Sequence, residues 1–566
     1  MKRIKEVVLI VFLIAIVGIP RLVGLGKFIT VDEPFWIRQG ANFYYALGQR
    51  EFKNTLYEYH PAVTTMWVVT GGMLAYFPEY RTLQQGYLKP GKFNSFLPEQ
   101  GKDPLQLLVA SRTVQAVVDI ILFLIVYFLL RLLFDGRSAF FTTIFISLSP
   151  FFLGHSRVLN HEGMMGLFLL VSLLSMLVFL YVDRKLFFLL LSSFAGALAQ
   201  LTKSSAIVLF PVIVLALLIH AVGLKDRKFS QGLIGAIKIF SIWFVVLVMG
   251  YFLFWPGMWV APREMLYDVY GNALSYSLQG GRLSVRSELN PSRFSFGDIS
   301  TSLQIYLSDL TWRSTPVSWL GFICGIWFAA THKTNEIGKI YRLTILYSVV
   351  FMASVMLMLS ALRAPISPHY ILTSFVFMDL VAGLGLVWAV DFLAGRLPKF
   401  ATQWAVVSAL SVIVLVQLIS AIGSYPYYIS YYNPVMNFLH PLDNPDINGF
   451  GYGVGLDQAA AYLSQKPGAS EMTVLSIHGY GCFSYYFPGK TITINWLTLT
   501  DMDSETLEAL RGSQYVVIDY HFQTVSNLMG GLEGIEPEKI IWINGLPYLY
   551  IYRTTDLLAR VNAILN

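Results

Sequence analysis

The stretch 105–134, LQLLVASRTVQAVVDIILFLIVYFLLRLLF, decides the class of fold. It is mostly apolar over far more than the roughly 18 residues that a helix needs to cross a bilayer core of about 30 Å. Similar runs recur along the 566-residue chain, which is 55% hydrophobic and 13% charged, with a mean hydropathy of +0.58. Soluble domains are rarely so apolar. The sequence therefore predicts a polytopic α-helical membrane protein.

Outward from this run, the pattern predicts about eleven membrane-spanning helices. The predicted spans are residues 5–23, 105–134, 138–154, 164–182, 186–201, 206–222, 233–254, 314–331, 341–362, 370–393 and 403–423. No small-residue cleavage site precedes Arg21, so we expect the first run to remain as a span. An odd count places the two ends of the chain on opposite sides of the membrane.

Basic residues mark alternate loops and give an expected orientation. With a cytoplasmic N-terminus, every short loop on that side carries two or three Lys or Arg residues, as the positive-inside rule requires. These residues are Lys2, Arg3, Lys5, Arg131, Arg137, Arg184, Lys185, Lys225, Arg227, Lys228, Lys333, Lys339, Arg342, Arg396 and Lys399. The net charge of +6 is therefore mostly a topology signal, and no pattern typical of nucleic-acid binding is present. We predict a multi-pass plasma-membrane protein.

The chain divides into a membrane domain, 1–423, and a small exterior α/β domain, 424–566, where the composition becomes mixed polar. Two exterior loops are long, 26–104 and 255–313, and the first contains two predicted interfacial helices, 34–49 and 61–77. The predicted elements of the exterior domain are helices 456–464 and 504–511 and strands 472–477, 491–496, 515–520, 539–543 and 548–552. Cys324 and Cys482 lie too far apart in this topology to indicate a disulfide framework.

Asp32 and Glu33 follow the first predicted span, and acids at a membrane edge are costly enough to be functional candidates. Arg38 on the next helix and His60 before the following one are candidate positioning partners. The structural alternative is that Asp32 or Glu33 caps the helix that begins at Pro34.

Three more polar clusters stand at predicted exterior span ends. Residues 155–163 hold Arg157, His161 and Glu162, for which a solvated turn is the alternative reading. Lys203 and Arg363 depart from the positive-inside rule, which an anionic phosphate would explain. His369 and Tyr370 follow Arg363 and offer hydrogen bonds to the same group.

Together, acids and cations at one membrane face match a lipid that carries a phospho-sugar. A carboxylate would take a proton from an acceptor hydroxyl, and the cations would stabilise the departing phosphate. These acids and histidines could also hold a divalent ion, but no spacing is a specific metal motif.

With these motifs, the sequence resembles the GT-C glycosyltransferases, and most closely the group of protein O-mannosyltransferases and lipid A aminoarabinose transferases. The segments that carry the resemblance are 32–33, 60–67, 157–162, 201–203 and 368–372, together with 425–434 and 455–460, which are similar to prokaryotic members. Their order covers the whole chain. Glu162 stands where the group usually has Asp, and His369 stands where it often has Arg.

The resemblance implies an inverting transfer of a sugar from a polyprenyl-phosphate donor on the exterior face, without a cofactor. Asp32 would be the catalytic base or acceptor-positioning acid, and Lys203 and Arg363 would contact the donor phosphate. The wider candidate set is Glu33 and Glu162 as catalytic acids, Arg157, His369 and Tyr370 at the phosphate, and Arg38, His60 and His161 as substrate-positioning residues.

Two other classes of function remain open from the sequence. One is a transporter or flippase for the same lipid, although no repeat symmetry or midplane helix break is visible. The other is a non-catalytic subunit of an envelope assembly. The sugar is undetermined, and the acceptor is a protein, a lipid or a glycan.

Overall fold

The protein is described by a computed structural model over residues 2–57, 60–223, 229–281, 283, 290, 292, 295–331, 336–364, 366–397, 402–439, 451–494, 504–523, 532 and 534–565. Several basic residues that support the predicted orientation lie outside this description: Lys225, Arg227, Lys228, Lys333 and Lys399. The orientation in the membrane therefore stays a prediction.

Helices build most of the described chain. The first ten are α1 (Lys2–Leu22), α2 (Glu33–Gln49), α3 (Val63–Tyr76), α4 (Pro90–Glu99), α5 (Pro104–Leu133), α6 (Gly136–Ser147), α7 (Pro150–Arg157), α8 (His161–Tyr181), α9 (Leu186–Thr202) and α10 (Leu209–Val222). The others are α11 (Phe229–Phe254), α12 (Gly257–Val260), α13 (Pro262–Leu266), α14 (Asn272–Gln279), α15 (Ile299–Arg313), α16 (Pro316–Thr331), α17 (Glu336–Ala361), α18 (Leu372–Arg396), α19 (Gln403–Ile422), α20 (Pro434–Leu439), α21 (Leu456–Ser464), α22 (Ser504–Arg511) and α23 (Thr554–Leu565).

Within the described residues, 7 helical segments are long and apolar enough to cross a membrane, or up to 8 if one bent pair is counted. They are Pro104–Leu133, His161–Tyr181, Ser204–Val222, Phe229–Phe254, Gly338–Ala361, Pro368–Arg396 and Gln403–Ile422. Three shorter apolar helices are α3, α9 and α16. A multi-pass membrane protein is confirmed, whereas the count of about eleven spans stays a prediction.

The predicted span 138–154 is not one straight helix. It is divided between α6 and α7, whose axes differ by 69°. The break falls just before Pro150, which lacks a backbone N–H and disfavours helical geometry in the preceding residue. The bend carries the buried side chains of His155 and Arg157 towards the end of the helical bundle.

Two helices form the centre of the bundle. The apolar window of α8 is 100% buried and that of the span containing α18 is 94% buried. They approach closely at Gly166, where an added Cβ would lie 3.3 Å from a methyl carbon of Val376. Small residues allow such close contact between membrane helices. The first residues of these two spans include Glu162 and His369, so packing at the centre fixes both positions.

The C-terminal part forms a five-stranded sheet in the order β2-β1-β3-β5-β4. Its strands are β1 (Thr473–Ser476), β2 (Lys490–Thr493), β3 (Tyr515–Asp519), β4 (Lys539–Ile543) and β5 (Leu546–Arg553). The pairs β1–β2 and β1–β3 are parallel, whereas β3–β5 and β4–β5 are antiparallel. All five predicted strands and the two predicted helices are confirmed, with ends that differ by a few residues; the end of the second predicted strand, residues 495–496, lies outside the description. The domain boundary at 423 stays a prediction.

Candidate active site

The four polar clusters meet at one end of the bundle, around a cavity of about 340 Å³ that we call the polar cavity. It collects ends of α2, α8, α9 and α18, which are far apart in sequence. Its lining residues are Asp32, Phe35, Trp36, His60, Asn160, His161, Glu162, Lys203, His369 and Tyr370. Seven of these ten are candidates from the sequence, so the structure brings them together, while their roles stay predictions.

Asp32 lies half-buried at the start of α2. Its Oδ2 accepts a hydrogen bond of 2.6 Å from the hydroxyl of Tyr452, which in turn accepts one of 3.2 Å from Asn160 Nδ2. Asp32 makes no side-chain capping hydrogen bond to the described helix, so the cap alternative does not account for it. Burial raises the pKa of Asp32, while the Tyr452 hydrogen bond and the charge of Lys203 act in the opposite direction.

Glu33 points away from the polar cavity and is fully buried. Its carboxylate accepts hydrogen bonds from Thr30 N (2.8 Å), Thr30 Oγ1 (3.0 Å), Leu159 N (2.6 Å) and Arg112 Nε (2.7 Å), and it also pairs with Arg112 Nη2. Arg112 holds the carbonyl of Phe28 at 3.0 Å as well. The Glu33–Arg112 pair thus ties the segment before α2 to α5 and to the segment before α8. Glu33 is thus fixed by the fold beside Asp32, and its predicted catalytic role stays a prediction.

Glu162 and Lys203 form a second buried ion pair, and this pair lines the polar cavity. Asn160 caps α8 by accepting a 2.7 Å hydrogen bond from Glu162 N. Lys203 ends α9, where a cation suits the helix dipole, and its Nζ lies 4.2 Å from the ring centroid of Tyr370. In the described part of the chain, Glu162 Oε2 has no hydrogen-bond partner.

Aromatic and imidazole rings complete the wall. Trp36 packs edge-on against His161 at 4.6 Å between centroids, and His369 lies 5.4 Å from Tyr452. His369 Nδ1 is 2.7 Å from Ser367 Oγ. Among the described residues, no three His, Cys, Asp or Glu side chains stand as a metal-binding group. Metal dependence therefore stays untested, and no residue here is assigned to a metal.

An apolar cavity of about 310 Å³ adjoins the polar one. The two share His60, Lys203 and Tyr370 as lining residues. Beyond these three, its wall is mainly apolar and aromatic, with Ile207, Tyr270, Ala273, Leu274, Tyr276, Met358, Leu359 and Leu362 among its residues. A charged end and an apolar extension thus meet at Lys203.

Besides Glu33, three predicted site residues lie outside the polar cavity. Arg157 is buried, donates a 2.6 Å hydrogen bond to Val23 O and lies over the rings of Tyr425 and Tyr428. Arg363 is exposed after α17, and the described walls of the polar and apolar cavities do not include it. Arg38 borders a third cavity. The Nη2 of Arg157 is held by backbone, whereas its buried Nη1 has no hydrogen-bond partner among the described residues, and its predicted phosphate contact stays a prediction.

Sequence reasoning missed Tyr452, Asn160 and Arg112. Arg112 carried a usable signal, since a charge within a predicted span is costly unless it is paired. Tyr452 carried a weaker one: Gly451, Gly453 and Tyr452 all have positive φ, and alternating glycines around a tyrosine mark a specialised turn. An added Cβ on Gly453 would lie 2.3 Å from Ile29 O, so this turn presses directly against the segment before Asp32.

Fold and cavity together define a polytopic membrane protein with a polar site where helix ends meet a C-terminal sheet domain. Residues 106–245 match the family model described as dolichyl-phosphate-mannose-protein mannosyltransferase. That match confirms the resemblance to the GT-C glycosyltransferases over this segment. The matched segment runs from within α5 into α11 and includes Glu162 and Lys203.

Similar solved structures include ArnT from Cupriavidus metallidurans bound to undecaprenyl phosphate, at 12% identity, 97% coverage of this chain, 98% of that chain and a TM-score of 0.46. Another is the oligosaccharyltransferase AglB from Archaeoglobus fulgidus with an inhibitory peptide and a dolichol-phosphate, at 12% identity, 94% and 71% coverage and a TM-score of 0.47. At such identities and scores these likenesses carry no argument about function. No curated protein matches the sequence.

Proposed function

We propose that this protein is an inverting glycosyltransferase that moves a sugar from a polyprenyl-phosphate donor to an acceptor hydroxyl on the exterior membrane face. One observation carries the proposal. The polar cavity, with its half-buried carboxylate, adjoins an apolar cavity, and Lys203 stands at their junction. A lipid phosphate has the same division into a charged head and an apolar tail.

The donor lipid fits this junction by its chemistry. Its phosphate lies at Lys203, a compact cation that binds phosphate as a point charge. Tyr370 and His60 also stand at the junction and can donate hydrogen bonds to phosphate oxygens. The prenyl chain of the donor occupies the apolar cavity between α14 and α17. Leu274 of α14 and Met358 of α17 form part of its wall.

In the reaction, Asp32 takes the proton of the acceptor hydroxyl. The freed oxygen attacks the anomeric carbon from the side opposite the phosphate. The bond between that carbon and the phosphate oxygen breaks, its electron pair leaves on the phosphate, and the configuration inverts. Lys203 stabilises the charge that develops on the phosphate, and Glu162 holds Lys203 in place. Because burial raises the pKa of Asp32, its carboxylate is a stronger base than one in water.

The test compares wild type with Asp32→Asn in proteoliposomes loaded with radiolabelled polyprenyl-phosphate hexose, with a crude envelope extract as acceptor. We expect donor consumption to fall by at least about 100-fold, the scale of losing a general base. Asp183→Asn is the matched control, because this acid lies beyond the far end of α8 and pairs with Lys185.

Equal consumption by wild type and Asp32→Asn would assign the base to another group, Glu162 first. No consumption by wild type with any of several sugars would favour the transporter or the non-catalytic subunit instead. Labelled lipid that changes leaflet without losing its sugar would identify the transporter.

A further inference from the structure

A third cavity, of about 260 Å³, lies beside the polar cavity and shares Phe35 with it. We propose that this third cavity binds the acceptor, and that the acceptor carries an anionic group, a phosphate or a carboxylate, near its reacting hydroxyl. The inference rests on the proposed transferase function. It assigns Arg38 to the acceptor rather than to the donor.

The position of the third cavity suits the acceptor, which is the second substrate of an inverting transfer. Val31 and Pro34, which flank the acidic pair, line the third cavity, whereas Asp32 lines the polar cavity. The apolar cavity adjoins the polar cavity at different wall residues, around Lys203 and Tyr370. An inverting displacement needs the acceptor and the leaving phosphate on opposite sides of the sugar. The third cavity meets the polar cavity at Phe35, whereas the apolar cavity meets it at His60, Lys203 and Tyr370, so the two substrates would enter through different walls.

The wall contributed by the C-terminal domain is firmly held. An added Cβ on Gly481 would lie 2.3 Å from the Pro34 ring, so this loop rests directly on the start of α2. Tyr480 N donates a 3.0 Å hydrogen bond to Thr493 Oγ1 at the end of β2. His478 has φ +47°, a costly conformation for a residue other than glycine. Such a conformation persists only where its surroundings enforce it, so the cavity is preformed.

The charge of the third cavity indicates what it binds. The Arg38 guanidinium lies 5.2 Å above the Phe35 ring, and burial lowers the pKa of Arg38. In the described part of the chain its buried Nε has no hydrogen-bond partner, and the described lining contains no carboxylate. A partly desolvated guanidinium without a carboxylate partner favours an anionic ligand. Its planar fork matches phosphate or carboxylate oxygens.

The experiment measures the KM for donor and for acceptor separately in the proteoliposome assay. For Arg38→Gln we expect the acceptor KM to rise about 10- to 100-fold, as for a lost charge-assisted hydrogen bond, with the donor KM unchanged. Arg38→Lys keeps the charge and should recover part of the loss. The matched control is Arg81→Gln, since Arg81 also lies over an α2 ring, that of Tyr44 at 5.6 Å, but is exposed and borders none of the three cavities described here.

Two treatments of the envelope extract distinguish the anions. Phosphatase removes phosphate monoesters, and amidation neutralises carboxylates; the treatment that raises the wild-type acceptor KM to the Arg38→Gln value identifies the group. An unchanged acceptor KM in Arg38→Gln, or an equal rise in the donor KM, would overturn the inference. If wild type transfers no sugar at all, the proposed function fails first and this inference fails with it.

Discussion

Glu33–Arg112 and Glu162–Lys203 are both buried carboxylate–cation pairs near one end of the same bundle. They differ in whether every carboxylate oxygen has a hydrogen-bond partner. Both oxygens of Glu33 accept hydrogen bonds, from Arg112 and from two further segments of backbone. Glu162 leaves one oxygen without a partner in the described chain, and its lysine faces a cavity. A buried ion pair therefore becomes a candidate site when its hydrogen-bonding capacity is incomplete; a saturated pair holds the fold.

The two pairs also differ in their cation, which is arginine in the first and lysine in the second. Arginine presents a planar fork that can join several carbonyls and a carboxylate at once, as Arg112 does. Lysine is a compact charge on a flexible stem, so Lys203 can contact Glu162 and also reach a ligand. The comparison predicts that changes at the first pair act on stability and changes at the second pair act on turnover.

The largest expected effect is on stability, at Glu33→Gln. Removing one partner of a buried pair leaves an uncompensated charge, so we expect the free energy of unfolding to fall by about 3–5 kcal/mol. Unfolding midpoints in detergent measure this. Glu6→Gln is the control, because Glu6 pairs with Arg131 at an exposed position and should change stability by less than about 1 kcal/mol. Equal effects of the two substitutions on stability would show that the buried Glu33–Arg112 pair stabilises the fold no more than an exposed pair does.

The second effect is on turnover, at Lys203→Met. We expect transfer to fall by about 100- to 1000-fold, the range for losing one group that stabilises transition-state charge. The unfolding midpoint should change less than in Glu33→Gln, because the Glu162 carboxylate left behind, although buried, lines the polar cavity, where water can solvate it. A loss of stability as large as that of Glu33→Gln would place both pairs in one structural class.

The smallest expected effect is on the pH dependence of activity, at Tyr452→Phe, and it tests the role of Asp32. Tyr452→Phe removes a hydrogen bond that stabilises the ionised carboxylate, so the pKa of Asp32 rises further. Since only the ionised form accepts a proton, the acid limb of the pH–rate profile should move to higher pH, with a rate roughly 10-fold lower on that limb. Tyr462→Phe, which removes a 2.7 Å hydrogen bond to Glu538, is the control. If the acid limb of the pH–rate profile does not move in Tyr452→Phe, the Tyr452 hydroxyl does not control the ionisation of Asp32.

Much of the architecture was readable from local pattern. Helix 456–464 and strand 539–543 have the predicted bounds, because alternation and helical periodicity depend only on neighbouring residues. Asp32 was predicted from the cost of an acid at a membrane edge, and Lys203 from its departure from the positive-inside rule. Both signals are properties of a few consecutive residues.

The remainder depends on long-range contacts that no local pattern records. Arg157 and Glu162 lie five positions apart in one polar cluster, but the first faces aromatic rings and the second faces the cavity. Arg157 ends α7, whereas Glu162 belongs to the first turn of α8. Composition also did not reveal the bend before Pro150 and predicted 138–154 as one straight span. Tyr452 reaches Asp32 only because the turn around Gly453 packs against Ile29.

The hydrogen bond between Tyr452 and Asp32 joins residues 420 positions apart in the chain. At roughly 5–20 residues per second of synthesis, Asp32 leaves the ribosome on the order of 20–80 s before its partner. Lys203 and Tyr370 are also made before Tyr452. During this interval a nascent chain already in the membrane lacks the group that orients its base. For the proposed mechanism, the site is therefore complete only once the last domain has been made.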